Sequence, residues 1–150
     1  MFSMNQLLFT ESQSSEETEE IARELVSILR PGDVVALFGP LGSGKTVFVK
    51  GLAEGLKCRQ PVRSPTFSLI NEYQGAIPLF HIDFYRLEGE AEITDLGWTD
   101  YLDSSGIVAI EWAERVRNML PENRYEVRIS FLGSESRTVE IVSVGNPGNR

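Results

Sequence analysis

The segment from Val34 to Leu56 constrains the fold of this chain more than any other. It begins with the apolar run VVALF (34–38), continues through the glycine-rich sequence GPLGSGKT (39–46), and ends in VFVKGLAEGL (47–56), whose apolar residues recur on one helical face. An uninterrupted apolar run of this length is typical of a strand that is buried on both faces. We therefore predict a buried strand, a glycine loop and a helix in direct succession.

The glycine-rich sequence matches the phosphate-binding pattern GxxxxGK[ST] through Gly39, Gly44, Lys45 and Thr46. Glycines let the backbone wrap closely around phosphates, and the N-terminus of the following helix attracts the same anion. We predict that Lys45 reaches the β- and γ-phosphates and that the Thr46 hydroxyl ligates Mg²⁺. The predicted nucleotide-binding loop also contains Pro40, Leu41, Gly42 and Ser43.

Charge and composition exclude several classes of protein. The 150 residues include 14 Lys and Arg against 22 Asp and Glu, a formal net charge of −8, which disfavours charge-driven binding to nucleic acid or anionic lipid. The single cysteine, Cys58, and the single histidine, His81, exclude a disulfide framework and multi-histidine or cysteine zinc sites. No apolar run is long enough to span a membrane, and the start MFSMNQLLFTESQ lacks the basic region of a signal peptide. We therefore expect a cytoplasmic protein.

Other patterns extend the predicted fold on both sides of the glycine loop. Ser14, with Glu17 three residues later, forms a capping box that predicts the start of a helix. The apolar run IVAI (107–110) predicts a second buried strand. Alternation over 125–131 and 138–142, separated by a glycine, predicts a hairpin.

Weaker signals complete the architecture. They predict strands at 7–10, 69–73 and 77–84, and helical segments at 88–96 and from 112 to 120. Together these elements predict an α/β fold, a P-loop NTPase whose parallel core sheet is extended by antiparallel strands and has helices on both faces. We expect one ATPase domain over residues 1–144, and a disordered tail over 145–150 because GNPGNR has nothing to bury.

Two acidic residues end predicted strands and are candidates to act on the nucleotide. Glu111 follows the run IVAI, and Asp83 follows PLFHI. A P-loop nucleotide requires a strand-end carboxylate to position Mg²⁺ or water. We predict that Glu111 holds the metal directly or through water and that Asp83 orients the attacking water, although the two roles could be exchanged.

Four further residues are weighed between function and packing. Pro65 restricts the backbone before Thr66, whose hydroxyl then either senses γ-phosphate and Mg²⁺ or caps a turn, and the spacing leaves both open. His81 is expected to be a packed strand residue. Trp98 and Trp112 are expected in the core, and Trp112, next to Glu111, could also lie beside the nucleotide.

Four segments in this order and spacing resemble the TsaE (YjeE) family: GPLGSGKT, SPTFSLINEY at 64–73, HIDFYRL at 81–87 and IEW at 110–112. The resemblance runs from the SSEET helix start through IEW, about two-thirds of the chain. It implies a P-loop protein that binds ATP with Mg²⁺, hydrolyses it weakly, and acts with TsaB and TsaD in threonylcarbamoyladenosine modification of tRNA. Contact with tRNA is then indirect, through the complex, and no membrane is involved.

The resemblance also implies roles for individual residues. Lys45 and Thr46 carry over as phosphate and metal contacts, and Thr66 as a switch-like residue. Asp83 and Glu111 carry over as the acidic pair, which makes Lys45, Asp83, Glu111 and Thr66 the predicted catalytic set and Thr46 and Glu111 the metal ligands. Trp112 carries over as a functional-site aromatic, and the helix start near Ser15 and Glu16 approaches the adenine.

Two other functions are compatible with the glycine loop. A small-molecule P-loop kinase would transfer phosphate to a metabolite, and Arg115 and Arg117 could supply the arginines of its lid. A nucleotide-dependent interaction module would hydrolyse only incidentally. The sequence contains no NKxD, which usually accompanies guanine specificity, and this absence favours ATP over GTP.

Overall fold

A computed structural model of the chain describes residues 3–65, 69–87 and 90–148. These residues form seven strands: β1 (Met4–Ser12), β2 (Val34–Phe38), β3 (Ile70–Tyr73), β4 (Leu79–Asp83), β5 (Ile107–Glu111), β6 (Arg124–Phe131) and β7 (Arg137–Val144). The helices are α1 (Ser15–Val26), α2 (Lys45–Gly55) and the short α3 (Glu90–Thr94), together with 3₁₀ segments at Trp98–Asp103 and Ala113–Met119.

All seven strands belong to one sheet, in the order β1-β7-β6-β2-β5-β4-β3. The four central strands β6, β2, β5 and β4 are parallel, whereas β7, β1 and β3 pair antiparallel at the two sides. This topology confirms the predicted parallel core with antiparallel extensions. Because the central strands are parallel, their carboxyl ends meet at one edge, where Glu111 pairs with Leu37 on one side and with Asp83 on the other.

Helices cover both faces of this sheet. On one face, α1 and α2 pack on the inward side chains of the strands, with Leu25, Leu52 and Val35 in a single buried cluster. On the other face, α3 and the two 3₁₀ segments cover a second cluster that includes Trp98. Trp98 is fully buried and packs edge-on against Phe84, which confirms its predicted place in the core.

The start of α1 follows the predicted capping pattern with one variation. The Ser14 hydroxyl accepts the backbone N–H of Glu17 at 3.1 Å. The Glu17 carboxylate accepts the N–H of Gln13, one residue before the cap, rather than that of Ser14. The cap therefore satisfies two backbone donors at the end of the helix that faces the glycine loop.

Several element boundaries differ from the prediction. The strand predicted at 7–10 spans Met4–Ser12, since the backbone ladder to β7 also holds Asn5, Gln6 and Glu11, which are exposed and polar and give no apolar signal. Of the helix predicted at 88–96, residues 88–89 lie outside the described residues; over 90–96 the helix is α3, and Gly97 at φ 68° separates it from the next 3₁₀ segment. The helical signal beyond Glu111 becomes a 3₁₀ segment with non-helical dihedral angles at Val116.

Residues beyond the predicted domain boundary at 144 are hydrogen-bonded to the rest of the chain. Backbone N–H groups of Gly145, Asn146 and Gly148 donate to Ser3, to the Asn123 side chain and to the Asp33 carboxylate, respectively. Residues 149–150 lie outside the described residues. The predicted division into a domain over residues 1–144 and a disordered tail over 145–150 remains a prediction.

We expect Gly51→Ala to destabilise the protein, although alanine is the better helix former. A Cβ at Gly51 would lie 2.4 Å from the carbonyl oxygen of Glu19 and 2.7 Å from Cβ of Ala22, so α1 would have to move off α2. Overpacking of this kind costs about 1–3 kcal/mol, more than the helix-propensity gain of about 1 kcal/mol. Urea unfolding measures the difference.

Lys50→Ala is the matched control in the same helix. Lys50 is exposed and its ammonium lies 4.0 Å from Glu19, so its loss should change the unfolding free energy by no more than about 0.5 kcal/mol. A Gly51→Ala variant at least as stable as the wild type would contradict the close approach of α1 and α2.

Candidate functional site

The glycine loop joins the end of β2 to the start of α2 and can be formed only with glycine at particular positions. At Gly39 an added Cβ would lie 2.5 Å from the backbone oxygen of Ile129 on the neighbouring strand. Gly44, the residue before α2, has φ 111°, in the region that favours glycine. The loop is thereby pressed against β6 and turned so that α2 begins at Lys45.

The side chain of Lys45 lies inside the loop rather than in solvent. It is 4% exposed, its ammonium donates to the Gly39 carbonyl, and Nζ lies 3.4 Å from the ring centroid of Trp112. Burial lowers the pKa of Lys45, and nearby carboxylates, Glu114 foremost, oppose that shift. The loop thus holds a desolvated cation on an aromatic face.

Thr46 and Glu111 meet directly, as the predicted metal site requires. The Thr46 hydroxyl lies 3.0 and 2.9 Å from the two carboxylate oxygens of Glu111 and donates to them. Glu111 is 3% exposed, and its Oε2 lies 2.5 Å from Nε2 of His81, which is fully buried. A carboxylate only accepts, so the histidine N–H is the donor. The packed position predicted for His81 is confirmed, and its bond to Glu111 is an addition that sequence reasoning missed.

Asp83 lies beside Glu111 at the same edge of the sheet. The two residues are register partners on β4 and β5. The Asp83 carboxylate accepts the N–H of Tyr85 at 2.9 Å. Burial, assisted by the neighbouring Glu111, raises the pKa of Asp83. The structure therefore brings both predicted carboxylates to the mouth of the glycine loop.

An open cleft of about 370 Å³ lies between the loop and this edge. Its lining combines the loop, the strand-end carboxylates and two aromatic residues: Leu41, Gly42, Gly44, Lys45, Thr46, Val47, Ser64, Pro65, Leu69, Asp83, Tyr85, Arg86, Glu111 and Trp112. Tyr85 packs on Trp112 with ring centroids 5.0 Å apart. The Ser64 hydroxyl lies 3.4 Å from the Thr46 hydroxyl, so the segment that connects α2 to β3 reaches the site at Ser64. Thr66 itself lies outside the described residues.

Arg137 contacts the glycine loop from the opposite side, and no sequence signal pointed to it. Its guanidinium donates to the carbonyl oxygens of Ser43 at 3.1 Å and Gly42 at 3.4 Å, and lies 4.5 Å from the ring of Phe131. A hollow of about 90 Å³ opens beside it, lined by the start of α1 as well: Ser14, Ser15, Thr18, Gly42, Ser43, Gly44, Val47, Glu135 and Arg137. Glu114 accepts the N–H of Gly39 and completes the supports of the loop.

The oxygen donors at the cleft suit Mg²⁺ better than a softer metal. A hydroxyl and a carboxylate, open to one side, leave the remaining positions to water and phosphate oxygens, as Mg²⁺ prefers. Within residues 3–65, 69–87 and 90–148, no group of three or more His, Cys, Asp or Glu could hold a metal alone. The arrangement fits a metal bound together with a phosphorylated ligand.

Comparison with known proteins decides the family. A family model described as "Threonylcarbamoyl adenosine biosynthesis protein TsaE" matches residues 12–139. The chain belongs to the TsaE family. The match includes the glycine loop, both strand-end carboxylates and Arg137, and it confirms the resemblance stated from the sequence motifs.

Individual TsaE relatives agree along most of the chain. The "tRNA threonylcarbamoyladenosine biosynthesis protein TsaE" of Bacillus subtilis (strain 168) is 44% identical over 132 residues, which cover 87% of this chain and 82% of the relative. The protein of the same description from Aquifex aeolicus (strain VF5) is 41% identical over 128 residues, covering 78% and 91%. A solved structure, "Crystal structure of Bacillus subtilus YdiB", superposes with a TM-score of 0.74 at 35% identity, covering 97% of this chain and 88% of that one.

No helix in the described part of this TsaE chain is long and apolar enough to cross a membrane.

We expect Asp83→Asn to raise the melting temperature of this TsaE protein at pH 7. The pKa of Asp83 is raised on folding, so from about pH 3.9 upwards the folded state binds more protons than the unfolded state, and stability is lost as pH rises through that window. An asparagine keeps the Tyr85 contact without ionising. The gain should be present at pH 7 and vanish near pH 3.5, as thermal melts at both values would show.

Asp95→Asn is the control for the loss of an acidic charge, because Asp95 is exposed and does not line the cleft. It should leave the melting temperature nearly unchanged at both pH values. A loss of stability in Asp83→Asn at pH 7, or an equal gain at both pH values, would contradict the desolvation of Asp83.

Proposed function

We propose that this chain binds ATP with Mg²⁺ in the cleft, hydrolyses it slowly, and thereby serves the formation of threonylcarbamoyladenosine in tRNA in the cytoplasm. The observation that carries the proposal is the contact between the Thr46 hydroxyl and the Glu111 carboxylate, with Lys45 in the same loop. A phosphate loop and a strand-end carboxylate in contact are the two parts by which P-loop proteins hold a nucleotide and its metal. The family supplies the connection to tRNA modification.

Phosphate binding would use the loop backbone and Lys45. The backbone N–H groups of Gly44, Lys45 and Thr46, at the N-terminus of α2, would hold the β- and γ-phosphates. The Lys45 ammonium, which now donates to the Gly39 carbonyl and lies over the ring of Trp112, would exchange that acceptor for phosphate oxygens. The cation would then stabilise the charge that develops on the γ-phosphoryl group as water attacks in line.

Glu111 and Asp83 would have different roles, one in holding Mg²⁺ and the other in orienting water. Thr46 and Glu111 would hold Mg²⁺, Glu111 directly or through water, and the ion would neutralise charge on the phosphate oxygens. Asp83, whose raised pKa is compatible with accepting a proton, would orient the attacking water. The Thr66 hydroxyl would sense the γ-phosphate, as the family resemblance implies.

The hollow beside Arg137 is suited to the adenosine side of the ligand. It adjoins the outer surface of the glycine loop and is lined by Ser14, Ser15 and Thr18 at the start of α1. The helix start near Ser15 and Glu16 would then approach the adenine, as the resemblance suggests.

Partners would supply the chemistry on tRNA. We propose that the chain acts with TsaB and TsaD, and that TsaD transfers the threonylcarbamoyl group. ATP would govern docking, because a γ-phosphate that orders the Thr66 loop changes the surface offered to a partner. Arg115, considered above for a kinase lid, donates to the carbonyl of Leu87 and is held against its own chain.

Lys45→Ala tests the ATPase proposal. Loss of a charge-assisted phosphate contact should weaken ATP binding by about 2 kcal/mol or more and remove turnover. Calorimetry with ATP and Mg²⁺ measures binding, and release of free phosphate measures turnover. Lys50→Ala, with its ammonium on the helix surface, is the control and should behave as the wild type.

Wild-type turnover in Lys45→Ala would refute the role of the glycine loop. A wild-type protein that releases no free phosphate, but transfers it to a metabolite, would instead establish the kinase.

The isolated chain should bind tRNA negligibly at physiological salt. Its net charge is −8 and its three lysines are Lys45, Lys50 and Lys57, of which Lys45 is assigned to nucleotide. Contact with several phosphates requires a contiguous basic surface and produces a strong salt dependence. Binding is measured by fluorescence anisotropy with the chain alone and then with TsaB, TsaD and ATP. Micromolar affinity of the chain alone, with a steep salt slope, would overturn this expectation.

A further inference from the structure

The only histidine of the chain, His81, is bonded to the carboxylate on which the proposed metal site depends. Nε2 of His81 lies 2.5 Å from Oε2 of Glu111, and both side chains are buried. Among the described residues, the other hydrogen bonds to this carboxylate come from the Thr46 hydroxyl, at the cleft. Glu111 therefore accepts a hydrogen bond from the imidazole on its interior side and from the Thr46 hydroxyl on the side of the cleft.

The register of β4 and β5 creates this arrangement. Asp83 pairs with Glu111, and two residues earlier His81 pairs with Ala109. Side chains two apart on a strand share a face, so all four point to the side of the sheet that α2 covers. The small side chain of Ala109, fully buried, leaves room for the imidazole to reach diagonally to the end of the Glu111 side chain.

The hydrogen bond from His81 both orients the Glu111 side chain and satisfies its buried carboxylate. A glutamate has three side-chain torsions, and a buried carboxylate is costly unless hydrogen bonds satisfy it. The Thr46 hydroxyl lies at the cleft, where a ligand can reach it. The His81 N–H, by contrast, belongs to a fully buried side chain and donates to Oε2 from the interior side. The opposite ring nitrogen, Nδ1, has no hydrogen-bond partner among the described residues, so the Glu111 bond is the polar contact that orients the ring.

We propose that His81 is a positioning residue: through its Nε2–H it locks the Glu111 carboxylate against Thr46 in the orientation that receives the Mg²⁺ of an ATP complex. The inference rests on the proposed function and deepens it. Partners that orient metal-site ligands in this way typically contribute about tenfold to a hundredfold in metal affinity.

Two substitutions at the same position separate positioning from packing. His81→Leu keeps a buried apolar side chain but removes the donor, whereas His81→Gln keeps an N–H at a similar reach. The measurement is ATP binding as a function of Mg²⁺ concentration, together with ATP binding in EDTA. We expect His81→Leu to need about tenfold to a hundredfold more Mg²⁺ for half-maximal binding, with unchanged binding in EDTA, and His81→Gln to recover most of the loss.

A wild-type Mg²⁺ requirement in folded His81→Leu would overturn the proposal, and so would equal losses in both variants. Glu111→Ala provides the second arm. If His81 acts through Glu111, adding His81→Leu to Glu111→Ala should not raise the Mg²⁺ requirement further, and an additional increase would also overturn it. If Mg²⁺ has no effect on ATP binding by the wild type, the proposed function fails instead.

The bond itself can be observed without ATP, without metal and without a variant of His81. Because the chain has one histidine, imidazole signals in a ¹⁵N-labelled, tag-free protein come from His81 alone. We expect a downfield proton on Nε2 that is lost in Glu111→Ala and kept in Glu114→Ala, whose carboxylate contacts Gly39 instead. Identical ring signals in both variants would show that the bond is not formed, even if His81→Leu failed to fold.

Discussion

The contact between the first turn of α2 and the end of β5 is the interaction on which the site depends. The Thr46 hydroxyl reaches both oxygens of Glu111 because the glycine loop starts α2 directly above the carboxyl end of the parallel strands. That position in turn requires Gly39, where the backbone of β6 leaves no space for a Cβ. The Thr46–Glu111 contact therefore requires three features together: a buried parallel sheet, a loop without bulky side chains, and a helix that starts over the sheet edge.

The same edge concentrates charges that the protein interior does not neutralise completely. Burial lowers the pKa of Lys45 and raises that of Asp83, so each group is less easily charged than in water. Lys45 lies on the ring of Trp112, and Trp112 adopts a left-handed backbone conformation (φ 58°) that a non-glycine residue rarely takes. Desolvated charges and an unusual backbone angle are both costly for folding, and both occur at the cleft.

Features formed by neighbouring residues could be predicted from the sequence, whereas contacts between residues far apart along the chain could not. β2, the glycine loop and α2 are contiguous, and their signals are local, so they are predicted nearly to the residue. Glu111 and Asp83 are recognised because each ends an apolar strand. The His81 bond requires the β4–β5 register, which a single sequence does not contain, and Arg137 reaches Ser43 across 94 positions. The 3₁₀ segment after Glu111 carries helical periodicity, and only the backbone angles of Trp112 and Val116 distinguish it from an α-helix.

Under the proposed function, this distribution of charge explains why the cleft would prefer a metal–nucleotide complex to either component. Phosphates alone would meet Lys45 and the N-terminus of α2 favourably, but would also lie close to the carboxylates of Asp83 and Glu111. A divalent cation alone would be attracted by the carboxylates and repelled by the buried ammonium. The complex of the two places anionic oxygens at the loop and the cation at the strand ends, so each protein charge is next to its opposite. Because the cleft excludes part of the solvent, these interactions are stronger than they would be in water, and the two components should bind with positive coupling.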